Sequence, residues 1–443
     1  MLQKPKVALI SVGRIFFDVD HARERLEQTI AGLTADFDLR TYPEVLTEPE
    51  QADAARAAIF AQGSPDLLIV QYGSFALWSI IDRFLADLHL PVVLWVLPEP
   101  EETLERRLRL NSMCGVNLGA NYLRLNRYWF KVIYGPPGAA EFASQLARIA
   151  RAAATRTFLR QAKLGVIGQA PDGFYPWQAQ YDRLQERYGI EIVPVPLTAI
   201  ANSVRELAEE TSERLADRFQ GAERIAADQR SKSAAMLPVL RKIVAELGLT
   251  ALALRCWPEL PSELKAMPCW AMSELAASGV PCACEADIYG AVTQLVQYGL
   301  SGATPALMDL VHIDPSSDTM VFWHCGAGPL NLANGPVGAI LHPNRKVGVS
   351  LDFEIGGDDF TAARIGLDVD GEERIGCFYG KQAAMPRHFN GVSLALRVEG
   401  DVTARLTAIL EAGYEHHFSL ISGDIRPELR IFAELIGVPF QEL

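Results

Sequence analysis

Apolar runs of a few residues alternate with amphipathic segments up to about residue 300, and this alternation predicts strands and helices in turn. Val7–Val12 closes on Gly13 and is followed by a helix over Val19–Leu33, with Leu26, Ile30 and Leu33 on one face. Further strands are expected at Phe37–Thr41, Leu67–Gln71, Pro91–Leu97 and Phe130–Tyr134, with helices at Ala52–Ala61, Leu77–Leu88 and Ala139–Gln161. Val/Ile/Leu-rich runs separated by helices imply a doubly wound parallel sheet, buried on both faces. A second α/β unit starts at Leu164–Gly168, continues at Ile190–Pro194, and returns at Leu249–Leu254 and Val280–Cys284. Between these strands lie a charged segment read as an exposed helix, Ser203–Gln229, and an amphipathic helix, Ser231–Glu246.

After the helix Ile288–Leu300 the period shortens. Thr319–Trp323, Lys346–Ile355, Ala362–Val369, Glu373–Tyr379 and Val392–Val398 have β character, and Asp370-Gly371 is the clearest hairpin turn. They predict an antiparallel sheet or barrel, closed by helices at Val402–Ala412 and Arg426–Ile436. Domains are therefore expected at 1–160, 161–302 and 303–443, which suits a chain of 443 residues.

Composition narrows the function. There are 41 basic and 54 acidic residues, net −13, with no basic block, which argues against a nucleic-acid or anionic-membrane surface. The seven cysteines are odd in number and form no CxxC pair, so buried thiols in a reducing compartment are expected. The first apolar run is too short for a signal peptide and no segment approaches a membrane span, so a cytoplasmic protein is expected. No GxGxxG follows Val7–Val12, which removes the dinucleotide reading of that strand.

The chemistry gathers at Arg255–Gly290. Both bracketing strands end on charged residues: Glu259 follows the first, Glu285 and Asp287 the second. Carboxylates at the carboxyl ends of parallel strands face the crevice where such sheets bind ligands, and suit a hard metal or an acid/base pair. The plainer alternative makes Glu259 and Glu263 loop charges and Asp287 a helix N-cap. His324 ends a strand in VFWHCG, and His416-His417 are adjacent, so in an extended chain only one of those two enters a shared site. Two carboxylates with one or two imidazoles form a ligand set for Mn²⁺ or a similar ion; zinc with the cysteines is the weaker alternative. The small polar residues of Arg109–Leu123, Asn117 among them, admit either a ligand or a close-packed helix.

LNSMCGVN (110–117), RCWPEL (255–260), PCACEADIYGAV (281–292), VFWHCG (321–326) and GYEHHFSLISGDIRPELRIFAELIG (413–437) together resemble the L-fucose/L-arabinose isomerase superfamily, in its shorter, fucose-isomerase-like branch. The resemblance implies two Rossmann-like α/β domains followed by a β-rich C-terminal domain. It also implies a metal-dependent aldose–ketose isomerase, usually with manganese, assembled as a homo-oligomeric trimer or hexamer. Carried over by position, Asp287 matches a metal-binding, proton-transferring carboxylate, with Glu285 as its rival. His417 matches a metal ligand, and His324 a ligand of the arabinose branch. Glu259 is favoured over Glu263 as the first carboxylate. Arg14, Asn117, Trp257, Glu285 and His416 are expected around the sugar. The substrate is then a free hexose or pentose, isomerised through an enediol; Arg14, Arg106, Arg107 and Arg109 keep a sulfonated hexose such as sulfoquinovose in view. The competing class is a non-catalytic sugar-binding protein with a hinge cleft between α/β domains.

Overall fold

The computed structural model of the chain describes residues 3–102, 106–174, 181–208, 218–386 and 388–443. Contacts divide the chain into two compact units, Met1–Thr157 and Phe158–Leu443. The first unit contains β1 (Lys6–Val12), α1 (Val19–Leu33), β2 (Asp38–Leu46), α2 (Gln51–Phe60), β3 (Leu67–Tyr72), α3 (Trp78–Leu85), β4 (Val92–Val96), α4 (Ser112–Leu125) and β5 (Phe130–Tyr134), and most of α5 (Ala140–Leu159). Its five strands pair in parallel in the order β2-β1-β3-β4-β5. β3 and β4 are buried along their whole length, as continuous apolar runs require in a sheet covered on both faces. The small residues of α4 have a packing cause. A Cβ on Gly119 would stand 2.0 Å from the Tyr72 hydroxyl, so glycine there lets the helix lie directly on β3.

The second unit begins with another parallel sheet, order β7-β6-β8-β9. Its elements are β6 (Lys163–Ile167), α6 (Tyr181–Tyr188), β7 (Glu191–Val195), α7 (Leu197–Leu207), α8 (Ala227–Leu247), β8 (Ala251–Leu254), α9 (Cys269–Ala277), β9 (Cys282–Cys284) and α10 (Ile288–Ser301). Of the segment 203–229, residues 209–217 lie outside the described residues. The remainder is the end of α7, a short turn at Ala222–Arg224 and the start of α8, where one long helix is expected.

The rest of the unit is a sheet in the order β12-β13-β16-β11-β10-β17-β14-β15-β18. It comprises β10 (Ala306–Asp314), β11 (Thr319–His324), β12 (Gly338–Leu341), β13 (Val349–Glu354), β14 (Asp359–Leu367), β15 (Glu373–Gln382), β16 (Val392–Val398), α11 (Val402–Glu411), β17 (His417–Ser422), α12 (Arg426–Ile436) and β18 (Phe440–Glu442). It is mostly antiparallel, and β16 also pairs with β15, which closes six strands into a barrel. Phe322, Phe378 and Phe418 pack against one another in its core. Parallel α/β regions and a C-terminal antiparallel barrel thus match the patterning. Four strands, β10, β12, β17 and β18, were not anticipated. Among the described residues no helix is long and apolar enough to cross a membrane.

Candidate active site

The site is assembled where α10 meets β10, β14 and β17. Helix α10 is buried along almost its whole length. Gln297 donates to the carbonyls of Thr361 and Ser419, and Thr293 Oγ1 accepts the Ile365 N–H, which fixes the helix against β14 and β17. Asp287 caps the helix, its Oδ1 accepting the Gly290 N–H at 2.8 Å. The cap places its carboxylate against Arg364 of β14, with Nη1–Oδ2 2.5 Å and Nη2–Oδ1 3.1 Å, both side chains fully buried. Asp287 Oδ2 also lies 3.0 Å from His417 Nδ1. The antiparallel register of β10 and β17 sets Asp309 opposite His417, and directly opposed residues share one face. Asp309 Oδ1 is 3.0 Å from His417 Nε2. The imidazole is therefore held between two carboxylates, with Glu285 Oε2 3.9 Å from its Nε2.

Glu285 reaches this point on a costly backbone. Glu285 and Ala286 both adopt positive φ, 59° and 57°, between β9 and α10. Each non-glycine residue in that region costs about 1 kcal/mol or more, and such strain collects at functional sites. The turn aims Glu285 at His417 while Trp257 Nε1 donates to its other oxygen at 2.8 Å.

Electrostatics separate the three carboxylates. Burial alone would raise the Asp287 pKa, but the Arg364 charge and the His417 contact outweigh it and hold the carboxyl well below its ordinary value. Asp309 behaves likewise: burial opposes ionisation, and His417 overcomes it. Glu285 goes the other way, raised chiefly by burial despite His417 and Trp257. Burial pulls the His417 pKa down, yet its two carboxylate partners push it to about 10. Burial, and then the neighbouring His417 charge, lower His416 to about 4.

Several expected residues come together here: Asp287, Glu285, His416 and His417, with Trp257 behind Glu285. Ligand atoms of Glu285, His416 and His417 all lie within 4.8 Å of one another. The expectation that only one of the two histidines enters the site fails for a local reason: β17 starts at His417, so His416 precedes the strand and escapes its alternation. Glu259 is engaged elsewhere, in a two-pronged ion pair with Arg255 at 2.7 and 2.8 Å. His324 is buried, its ring 6.3 Å from that of His417. Its Nδ1 accepts the Ala327 N–H at 3.2 Å, so the neutral ring carries its proton on Nε2 and presents a donor there. Glu263 lies 3.8 Å from Arg205. Arg14 and Asn117 belong to the first unit, where Arg14 stacks on Phe16 and Asn117 is exposed. In that unit Arg109 is paired with Asp18 at 2.6 Å.

Asp309, Arg364 and Glu415 were not anticipated. Glu415 sits 3.2 Å from Arg364 Nε and shares the guanidinium with Asp287. A charge inside an apolar run, as in ALMDLV, was the available signal for Asp309, and Arg364 within TAARIGL is of the same kind.

The cysteines are free thiols; Cys114 is exposed, Cys325 half-buried and the others buried. Cys269, Cys325 and His342 form a second close group. His342 Nδ1 accepts the N–H groups of Asn344 and Arg345, at 3.3 and 3.1 Å, which leaves the proton on Nε2. The group thus combines two thiols with an imidazole whose Nδ1 is already engaged by backbone N–H groups.

No family model matches the chain. It is 30% identical to the sulfoquinovose isomerase of Alkalicoccus urumqiensis over 446 residues, covering 99% of both chains. It is also 30% identical to the sulfoquinovose isomerase of Priestia aryabhattai over 437 residues, 97% of both chains. A solved D-2-hydroxyisocaproate dehydrogenase aligns at TM-score 0.15 and 12% identity over 67% of this chain and 98% of that one, too weak a likeness to argue from.

Proposed function

Because the chain belongs to the sulfoquinovose isomerase family and is an aldose–ketose sugar isomerase, we propose that its substrate is sulfoquinovose, the 6-deoxy-6-sulfo analogue of glucose, and its product the matching 2-ketose. The observation that carries the reading is His417 held between Asp287 and Asp309 with Glu285 at its Nε2.

A divalent cation such as Mn²⁺ fits this donor set. Asp309 Oδ1 is buried and receives no well-aligned hydrogen bond among the described residues, and carboxylate plus imidazole suits such an ion. Glu285, Asp309, His416 and His417 would hold it, and it would polarise the sugar carbonyl and stabilise the developing enediolate charge.

The protein groups divide the remaining work. Moving the carbonyl from C1 to C2 requires a proton to leave C2 and return to C1. We assign that proton to Glu285, which faces His417 Nε2 and whose side chain is still 20% exposed. Asp287, matched by resemblance to a proton carrier, is kept ionised by Arg364, and we assign it to positioning: its contact with Nδ1 fixes the ring and turns Nε2 toward the cluster. His324 contributes its Nε2–H as a donor to a sugar oxygen. Phe174 packs edge-on against both Trp257 and His416, at 5.7 and 6.1 Å between ring centroids, and supplies the apolar face a pyranose carbon skeleton packs on. The reading keeps 161–302 as a Rossmann-like domain bearing the acidic rim and 303–443 as the domain bearing the histidines. It takes the enzyme to be a cytoplasmic homo-oligomer.

The test is ketose formation from sulfoquinovose, followed by NMR. Turnover should disappear on exhaustive chelation and return with Mn²⁺. Undiminished turnover by demetallated enzyme would remove the metal, and no ketose at all would remove the substrate.

A further inference from the structure

We propose that Arg345 is the sulfonate-binding residue of this site, so that the anionic end of the substrate is read by a guanidinium stacked on Trp257. The inference rests on the sulfoquinovose reading and adds the residue that makes the site select an anion.

Arg345 lies in the exposed turn between β12 and β13, with its guanidinium carbon 4.5 Å from the centre of the Trp257 ring. This cation–π contact uses none of the guanidinium N–H groups, which leaves them for another partner. Among the described residues no carboxylate pairs with it. Trp257 in turn donates to Glu285, and Glu285 faces His417. A chain of direct contacts therefore runs from Arg345 to the group assigned the proton transfer. This is the order a 6-sulfonated hexose demands, with its reacting C1 and C2 at one end and its charge at the other.

The nearby guanidiniums are already committed. Arg255 is bound by Glu259 and by the carbonyls of Gln169 and Ala170. Arg364 is buried between Asp287 and Glu415. A permanently anionic sugar approaching a chain of net charge −13, toward Glu285 and Asp309, meets repulsion unless a cation stands at the entrance. Arg345 is that cation, and its planar fork of donors matches the oxygens of a sulfonate as it matches a phosphate.

Arg345→Met keeps the aliphatic stem on Trp257 and removes the charge, whereas Arg345→Lys keeps a charge and loses the fork. Steady-state kinetics on the full-length enzyme would use sulfoquinovose and quinovose, the same sugar without the sulfonate. We expect the preference for sulfoquinovose, as a ratio of kcat/KM values, to fall about tenfold to a hundredfold in Arg345→Met, mainly through KM. Arg345→Lys should fall between this variant and wild type, and it decides the matter alone if the Met variant is insoluble. A preference within about twofold of wild type in variants that still turn over sulfoquinovose would overturn the role of Arg345 and leave the substrate standing. Wild-type enzyme inert toward sulfoquinovose would overturn the substrate reading, and the sulfonate site with it.

Discussion

Arg364 and Asp287 form a fully buried, two-pronged ion pair, and the same carboxylate holds His417 Nδ1. An acidic helix cap would ordinarily contribute about 1 kcal/mol and tolerate Asn. Here the cap is also the counter-charge of a guanidinium with no access to water, so its loss has a different scale.

Arg364→Met should destabilise the protein by about 3–5 kcal/mol, because it leaves Asp287 buried with its charge uncompensated except by His417. Denaturant unfolding measures this directly. A loss below about 1 kcal/mol would mean that the pair is not buried in solution.

Asp309→Asn and Glu259→Gln separate the observed cluster from the carboxylate favoured by resemblance. Asp309 faces His417, so Asn there should reduce kcat/KM by about a hundredfold or more. Glu259 is tied to Arg255 at a half-exposed position, so Gln there should cost about 0.5 kcal/mol of stability or less and leave kcat/KM within about fivefold. The reverse ordering of the two variants would restore Glu259 to the ligand set.

Much of this was legible beforehand. Strands buried on both faces read as continuous apolar runs, which is why β1, β3 and β4 fall close to where the pattern puts them, while α1 and α12 are legible from the helical spacing of their buried residues. Asp287 and His417 were legible through motifs. Asp309 was not, because β10 breaks its apolar run with a charge and so lacks a clean period; its role arises from register with β17 across more than a hundred residues. The engagement of Glu259 was equally hidden, since a sequence shows that a carboxylate follows a strand but not which arginine takes it.

Titration gives a further check. In metal-free protein His417 has its pKa raised to about 10, against about 6.5 for a free imidazole. A raised folded-state pKa contributes stability that is fully present below about pH 6.5 and lost as pH rises toward 10. The excess Tm of metal-free wild type over His417→Gln should therefore shrink steadily between pH 6.5 and 10. A difference that is constant or grows across that window would show that His417 is not held protonated by Asp287 and Asp309.

The central claim is that Glu285 moves a proton between C2 and C1 beside His417, and isomerisation of sulfoquinovose in D₂O tests it most directly. A carboxylic acid one-fifth exposed to water exchanges its proton in competition with returning it. The 2-ketose should carry deuterium at C1, in an amount below one atom per molecule and lower still in the earliest product. Ketose formed with no deuterium at C1, its hydrogen carried over intact from C2, would contradict proton transfer by Glu285.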